Sequence, residues 1–250
     1  MSDQQRVVAI LPARIESSRL PRKVLLEICG LPMIVHVFKR CLLAKKLDEV
    51  YVATDSNEIK GVVENHGGKV IMTSHNHQTG TDRIAEAAKN IDAEIVVNVQ
   101  GDEALVNPNH IDKVVDELLE NPDINVGILV SPYFKKNSPS DIKVVLNNNN
   151  DILYSSRSDI PSDSRTKNPS MLKAYHIVPF RKPFLLKFSK WEKGTLEKTE
   201  FNEYLRILEH GERIRAVLVD SDAVSVDTYE DLDYVRKIML EDELFETYMS

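Results

Sequence analysis

From residue 7 to residue 100 the chain alternates short apolar runs, rich in β-branched residues, with stretches whose apolar residues recur at helical spacing. That alternation is the strongest restriction on its fold. Residues 7–11, 50–54, 70–72 and 95–100 read as strands, and residues 31–43, 58–65 and 84–89 as helices. Strand–helix–strand order implies parallel strands joined by right-handed crossovers, hence an α/β architecture with helices on the faces of a sheet. Open sheets of this kind bind ligands in the crevice outside the carboxyl ends of their strands, so the residues that follow each strand are the first candidates for function.

After the first strand, Pro12 opens a loop that carries Arg14, Arg19, Arg22 and Lys23, with hydroxyls at Ser17 and Ser18 and a second proline at Pro21. Guanidinium forks and one ammonium on a segment stiffened by two prolines suit a polyphosphate, with a nucleoside triphosphate the natural occupant. Neither G-x-G-x-x-G nor G-x-x-x-x-G-K-[ST] occurs, so a dinucleotide dehydrogenase and a P-loop NTPase both lose their main support. The strand at 95–100 runs into Gly101-Asp102-Glu103, where Asp102 is placed to hold a Mg²⁺ that bridges phosphate oxygens. Thr79-Gly80-Thr81 precedes a helix with Asp82 in its first turn; the residues alone fit an anion or base contact and an ordinary capped N-terminus equally. His75 and His77 form a single H-x-H, which reads as local loop structure in preference to a metal site.

Further on, Asn107 caps a helix over 108–120, and residues 127–130 form a strand. Residues 141–146 and 152–155 read as adjacent strands joined by an asparagine-rich turn. This change of pattern marks residues 131–215 as a lobe of a single 1–250 domain, expected to fold over the nucleotide site and carry a dimer contact. The polar stretch 162–170 reads as a mobile loop. A helix is expected over 197–210, closed by Gly211, then a strand over 214–219, and a terminal helix capped by Thr228 with Asp231 as its acidic partner.

A net charge of −7 and a pI near 5.6 argue against general nucleic-acid or membrane-surface binding and make the basic loop a local device for a small anion. Two cysteines, Cys29 and Cys41, build neither a disulfide framework nor a metal site. No apolar run approaches membrane-spanning length, and residues 1–6 lack a signal-peptide core, so a reducing cytoplasm is expected.

The loop pattern R-x-x-S-x-R-x-P-x-K, met at Arg14, Ser17, Arg19, Pro21 and Lys23, resembles the opening of the CMP-sugar synthetases, and most closely the 3-deoxy-manno-octulosonate (Kdo) cytidylyltransferase family. Other stretches are similar in the same order. H-Q-[ST]-G-T-[DE]-R matches residues 77–83, and Q-G-D-E-P matches Gln100 to Glu103 with Ala104 for the proline. S-R-x-x-I-P matches residues 156–161, and G-V-D-T-P-E-D-L is met around Asp227 with Ser225 and Tyr229 as departures. The resemblance covers about residues 6–240. It implies a Rossmann-like nucleotide-diphospho-sugar transferase fold: a mixed, mostly parallel sheet flanked by helices, with a smaller sugar-binding and dimerisation lobe. It also implies a cytoplasmic homodimer that uses CTP and Mg²⁺ to activate a sugar acid for lipopolysaccharide biosynthesis. Nucleotide contacts fall on Arg14, Ser17, Arg19, Lys23, Gln78, Thr79, Gly80, Thr81, Arg83 and Asp102, metal ligation on Asp102 and Asp227, and sugar contacts on Gln100, Arg157 and Glu203. Arg14, Arg19, Lys23 and Asp102 are the catalytic set. Ser74 stands where some relatives carry an arginine.

The departures cluster on the sugar. The family's H-x-G-x-Y-x-[YF]-R falls on residues 174–181 and its E-Q-L-R on residues 203–206, so a His, a Tyr and a Gln that face the sugar become Ala174, Val178 and Tyr204, with Ala174 and Val178 sharing a parity and so expected on one face of a single strand. Coordinated change of three hydrogen-bonding contacts points to an altered sugar group. The expected substrate is the 8-amino-3,8-dideoxy analogue of Kdo (Kdo8N), with unmodified Kdo as the alternative, and with a nucleotide-binding regulator that lacks the chemistry, or an oxidoreductase, as readings of another class. Retention of Asp102, Asp227, Arg14, Arg19 and Lys23 together favours an enzyme.

Overall fold

The computed structural model describes residues 5–17, 19–167, 169–220 and 224–249; Ser18 of the basic loop and Asn168 of the polar stretch lie outside them. The chain forms two compact units, Met1–Asp112 with Ala223–Ser250, and Lys113–Asp222. The lobe expected at 131–215 falls within the second.

The first unit opens with β1 (Val7–Ala13), a 3-10 turn at Lys23–Leu25, and the short strands β2 (Glu27–Ile28) and β3 (Leu31–Pro32). α1 (Met33–Cys41), β4 (Glu49–Thr54), α2 (Asn57–Asn65), β5 (Lys69–Met72), α3 (Gly80–Ala88) and β6 (Ile95–Val99) follow, and α4 (Pro108–Glu120) begins in this unit and ends in the second. Within this unit the strands lie in the order β6-β1-β4-β5 and every pair is parallel, with Ile10 opposite Asn98 and Leu11 opposite Val52. Val8, Ala9, Ile10 and Leu11 are wholly buried, as a strand covered on both faces requires. Each buried aliphatic side chain contributes roughly 1.5–3 kcal/mol, which is why a continuous apolar run, not an alternating one, marks the central strands.

The second unit is a mixed sheet. β7 (Gly127–Tyr133), β8 (Lys143–Leu146), β9 (Ile152–Ser156), β10 (Met171–Tyr175) and β11 (Ile177–Arg181) are followed by α5 (Lys182–Phe188), α6 (Thr195–Glu200), α7 (Leu205–Glu209) and β12 (Arg215–Leu218). Its sheet has the order β12-β7-β10-β8-β9, antiparallel except for the β12–β7 pair, and β11 is not part of it. The expected β8–β9 turn forms because Asn147 Oδ1 accepts from the backbone N–H groups of Asn149 and Asp151, both at 2.9 Å, and Asn150 takes the left-handed conformation (φ 62°) that asparagine tolerates.

Two sequence expectations fail here. Residues 197–210 are not one helix: α6 ends at Glu200, Phe201 is left-handed (φ 49°), and α7 begins at Leu205. In a continuous helix, positions 197 and 206 would lie about 13 Å apart along the axis on opposite faces. Instead Arg206 Nε and Nη2 each donate to the Glu197 carboxylate at 2.7 Å, both side chains buried, and the break is what lets them meet. Asn202 holds the break, donating to Ser155 Oγ at 2.9 Å and accepting from the Tyr204 N–H at 3.2 Å. The strand expected to carry Ala174 and Val178 on one face is likewise two strands, β10 and β11, parted at His176, so parity does not relate the two positions.

The chain then rejoins the first unit as α8 (Tyr229–Met239) and α9 (Glu243–Met249). The expected cap is present in full: Thr228 Oγ1 accepts from the Asp231 N–H at 3.1 Å and Asp231 Oδ2 accepts from the Thr228 N–H at 2.8 Å. Leu232, Val235 and Met239 of α8 pack with Leu20, Ile28, Met33, Ala104 and Val226 in one buried cluster that fixes the segment before the helix beside the basic loop. α9, which the apolar pattern of the sequence does not announce, is held by α1. The wholly buried His36 ring lies between Tyr248 Oη (2.9 Å) and the Ile28 carbonyl (2.7 Å), and Lys39 Nζ donates to the Tyr248 carbonyl at 2.8 Å.

Burial, with the neighbouring Arg40 charge adding to it, pushes the His36 pKa below its ordinary value. The unfolded chain therefore binds this proton more readily than the folded one, and stability that is complete above about pH 6.5 falls as the pH drops through the lowered value. Thermal melts from pH 8 to 5 should show a steeper acid-side loss of Tm in the wild type than in His36→Gln. Parallel curves would remove this role.

Candidate active site

Three chain segments of the first unit converge just beyond the carboxyl ends of β1 and β6. The basic loop follows β1, the Gln100-Gly101-Asp102 turn follows β6, and the stretch ending at Asp227 leads into α8. Gly101 is required by close approach: a Cβ there would stand 3.0 Å from the Pro12 carbonyl oxygen and 3.2 Å from Ile34 Cδ1. The Val226 N–H donates to the Asp102 carbonyl at 3.2 Å and brings Asp227 alongside Asp102. The capping carboxylate of Asp231 also accepts from the Asp227 N–H at 3.0 Å, so the helix cap orients Asp227 as well as closing α8.

Lys23 is the centre of this arrangement. Its ammonium lies 2.5 Å from Asp102 Oδ2 and 3.1 Å from Asp227 Oδ1, and Arg19 Nη2 reaches the same Asp227 oxygen at 2.9 Å. Burial opposes the Lys23 charge, but the two carboxylates outweigh it and hold its pKa above the ordinary lysine value. Arg22, left-handed at φ 57° immediately before Lys23, pairs with Glu58 on α2 and anchors the loop. A cavity of about 180 Å³ opens over these groups, lined by Pro12, Arg14, Glu16, Ser17, Arg19, Lys23, Val24, Gln100, Gly101 and Asp102.

Arg14, Ser17, Arg19, Lys23, Gln100 and Asp102 are thus brought to one cavity, with Asp227 joined to it through Lys23 and Arg19. Thr79 caps α3 by accepting from the Asp82 N–H at 3.1 Å, and Gly80 fits against Pro12, where a Cβ would come within 3.1 Å of Cγ. Gln78 is exposed. Arg83 turns elsewhere: buried, it donates to Thr73 Oγ1 at 2.6 Å and pairs with Asp55 at 3.4 Å. His77 pairs with Glu86, in keeping with a local structural role. Among the described residues no group of three or more His, Cys, Asp or Glu side chains suits a metal ion, and no helix is long and apolar enough to cross a membrane.

In the second unit Arg157 acts first as a clamp. Four of its donor contacts go to the carbonyls of Glu200 (2.7 Å), Pro139 (2.7 Å), Ser140 (3.4 Å) and Phe201 (3.1 Å). Ala174 and Val178 are buried, Glu203 is half-buried, and the Tyr204 ring is buried against His176 at 5.9 Å and Phe180 at 6.3 Å.

A residue overlooked in the sequence is Asn98, wholly buried in β6, which receives Gln100 Nε2 at 2.8 Å and donates to Thr81 Oγ1 at 3.3 Å. One amide inside an otherwise aliphatic strand was the available signal.

A cavity at the ends of parallel strands, lined by Arg14, Arg19 and Lys23 and with two carboxylates converging on the Lys23 ammonium, is an arrangement that suits a nucleotidyltransferase. Comparison with known proteins agrees: residues 8–214 match the family model described as Cytidylyltransferase. The 3-deoxy-manno-octulosonate cytidylyltransferase of Syntrophus aciditrophicus is 41% identical over 243 residues, covering 94% of this chain and 98% of its own, and that of Geobacter sulfurreducens is 42% identical, covering 92% and 97%. A solved CMP:2-keto-3-deoxy-manno-octonic acid synthetase complexed with CTP superposes with a TM-score of 0.91 at 36% identity, over 94% of this chain and 99% of that one. A 4-diphosphocytidyl-2C-methyl-D-erythritol synthase from Anaerococcus prevotii, 14% identical with a TM-score of 0.66, shares the fold. The chain belongs to the 3-deoxy-manno-octulosonate cytidylyltransferase family.

Proposed function

We propose that this enzyme joins CMP from CTP to a 3-deoxy-octulosonic acid, releasing diphosphate, and that its preferred acid is the 8-amino-3,8-dideoxy analogue of Kdo. The anomeric hydroxyl of the sugar attacks the α-phosphorus, the new C–O–P bond forms as the bond to the diphosphate breaks, and the hydroxyl proton is lost. Arg14, Arg19 and Lys23 are assigned to the β- and γ-phosphates and to the negative charge that grows on the departing diphosphate. Ser17, Gln78 and the start of α3, Thr79 to Thr81, complete the nucleotide contacts, with Arg83 holding that helix in place from behind. The observation that carries the reading is the convergence of Asp102 and Asp227 on one cation, the Lys23 ammonium that lines that cavity.

The same convergence fits Mg²⁺. Asp102 and Asp227 would offer carboxylate oxygens to the ion, which ordinarily keeps water and substrate phosphates as its remaining ligands. Asp102 and Asp227 would hold the ion, and it would neutralise phosphate charge and orient the α-phosphate. The reaction belongs to lipopolysaccharide assembly and to the cytoplasm, where CTP is made. The exposed Leu153 on the edge strand β9, with Phe201 exposed at the end of α6, supports a homodimer contact in the second unit.

The sugar preference rests on positions that changed together. Where the family motif has a glycine, this chain has His176, and its ring stacks on Tyr204, which replaces the motif's glutamine. The two substitutions are in contact, and Ala174 lies just before this break in the strand. Gln100 in the first unit, and Glu203 with these positions in the second, are each assigned to sugar contacts, and a carboxylate and an amide oxygen are better partners for an ammonium than a histidine is. Side-by-side kinetics should give a kcat/KM at least about tenfold higher for the 8-amino acid than for Kdo, and restoring His at Ala174, Tyr at Val178 and Gln at Tyr204 should shift preference toward Kdo. A higher kcat/KM for Kdo in the wild type would overturn the preference while leaving cytidylyl transfer intact.

A further inference from the structure

We propose that Asn98 is a positioning residue for the transfer reaction, tying the start of α3 to Gln100 beneath the cavity without itself reaching a substrate; the inference rests on the function proposed above. The rest of β6 is Ile95, Val96, Val97 and Val99. A primary amide with no exposed surface in such a strand costs free energy unless its polar atoms are bonded, and valine would fill the strand without that cost. Both ends of the Asn98 amide are used, one on Thr81 and one on Gln100, at 3.3 and 2.8 Å.

What the amide joins is the reason to assign it a role. Gln100 follows directly on the end of β6, two positions beyond Asn98, and the two side chains meet at 2.8 Å. Gln100 lines the cavity with Lys23 and Asp102. Thr81, also wholly buried, is the second residue of α3 and follows Gly80, which fits against Pro12 at the base of the basic loop. The donor order runs in one direction. Asn98 gives its N–H to Thr81, so it offers its oxygen to Gln100, and Gln100, with Nε2 held inward, offers Oε1 to a ligand. That oxygen is an acceptor for a sugar hydroxyl or ammonium, and its aim depends on Asn98. A reacting group misplaced by about 1 Å can lose about 10²-fold in rate, so a buried residue that only aims another can matter as much as a contact.

The test is a double-mutant cycle of Asn98→Val and Gln100→Ala, read as kcat and KM for the sugar acid with saturating CTP, alongside nucleotide affinity by calorimetry. Each single substitution should lower kcat/KM for the sugar acid by about 30- to 100-fold, and the double variant should be no worse than the poorer single within about threefold, because the two act as one unit. Losses that multiply, or an Asn98→Val enzyme within about threefold of wild type, would overturn the proposal. If Asn98→Val does not fold, Thr81→Val removes the other end of the same chain of bonds by a near-isosteric change, and its cycle with Gln100→Ala discriminates in the same way. A wild type that releases no diphosphate from CTP with either sugar acid would count against the proposed function. An active wild type with multiplying losses counts against Asn98 alone.

Discussion

Asp102→Asn is expected to lower kcat by about 10³-fold, with a change in Tm of less than about 3 °C. Phosphoryl-transfer enzymes work mainly by positioning and by charge placed where charge develops, and removing one such group typically costs about 10²–10³-fold. Asn keeps the size and one oxygen of the carboxylate, so the turn after β6 and the Val226 contact survive. What is lost is half of the charge pair that meets Lys23 at 2.5 and 3.1 Å. A shift of about 3 °C corresponds to roughly 1 kcal/mol in a chain of this size, enough to separate a failure of chemistry from a failure of folding. Near-normal turnover of Asp102→Asn in excess Mg²⁺ would show that the carboxylate pair does not hold the ion.

The second large effect is on stability. Glu197→Leu strands the Arg206 guanidinium in a site where both partners are buried and where Arg206 lies 4.7 Å from the Phe188 ring and donates to the Trp191 carbonyl at 3.1 Å. Breaking one side of a buried pair costs roughly 3–5 kcal/mol, because the remaining charge has lost its counterpart and cannot reach water. Urea unfolding followed by circular dichroism should show that loss, and Glu197→Leu combined with Arg206→Met should recover most of it. A double variant no more stable than Glu197→Leu would mean that the pair does more than satisfy itself.

That same pair shows where sequence patterns reach their limit in this molecule. The apolar spacing of residues 197–210 fits a single helix, and nothing local forbids one. The break is decided by Asn202 finding Ser155, 47 positions away, and by a bidentate contact that an unbroken helix would prevent. Likewise the parity argument for Ala174 and Val178 assumes an unbroken strand, and His176 interrupts it. By contrast, β1, β6 and the cap of α8 are legible because each depends on near neighbours: a covered strand on its own apolar run, and a cap on Thr228 and Asp231, which form one local pair of bonds.

The site divides along the same line. Gly101-Asp102 and the cations of the basic loop can be placed because the ends of parallel strands are where ligands collect, and the family pattern adds Asp227, whose partnership with Asp102 depends on a backbone bond between distant parts of the chain. Arg83 stands in a recognised motif yet spends its guanidinium on Thr73 and Asp55. Arg157 gives its guanidinium to the carbonyls of Pro139, Ser140, Glu200 and Phe201. A motif gives residue types in order, while the partners each side chain takes within the fold are set by packing.

Diphosphate release from CTP, UTP and ATP, each with Mg²⁺ and with or without a Kdo-type acid, tests the central claim most directly. The account predicts release from CTP only when the sugar acid is present, with formation of the CMP-sugar and loss of the signal on chelation of the metal. Release from UTP or ATP at a rate equal to that from CTP, or release from CTP that does not depend on the acid, would contradict it.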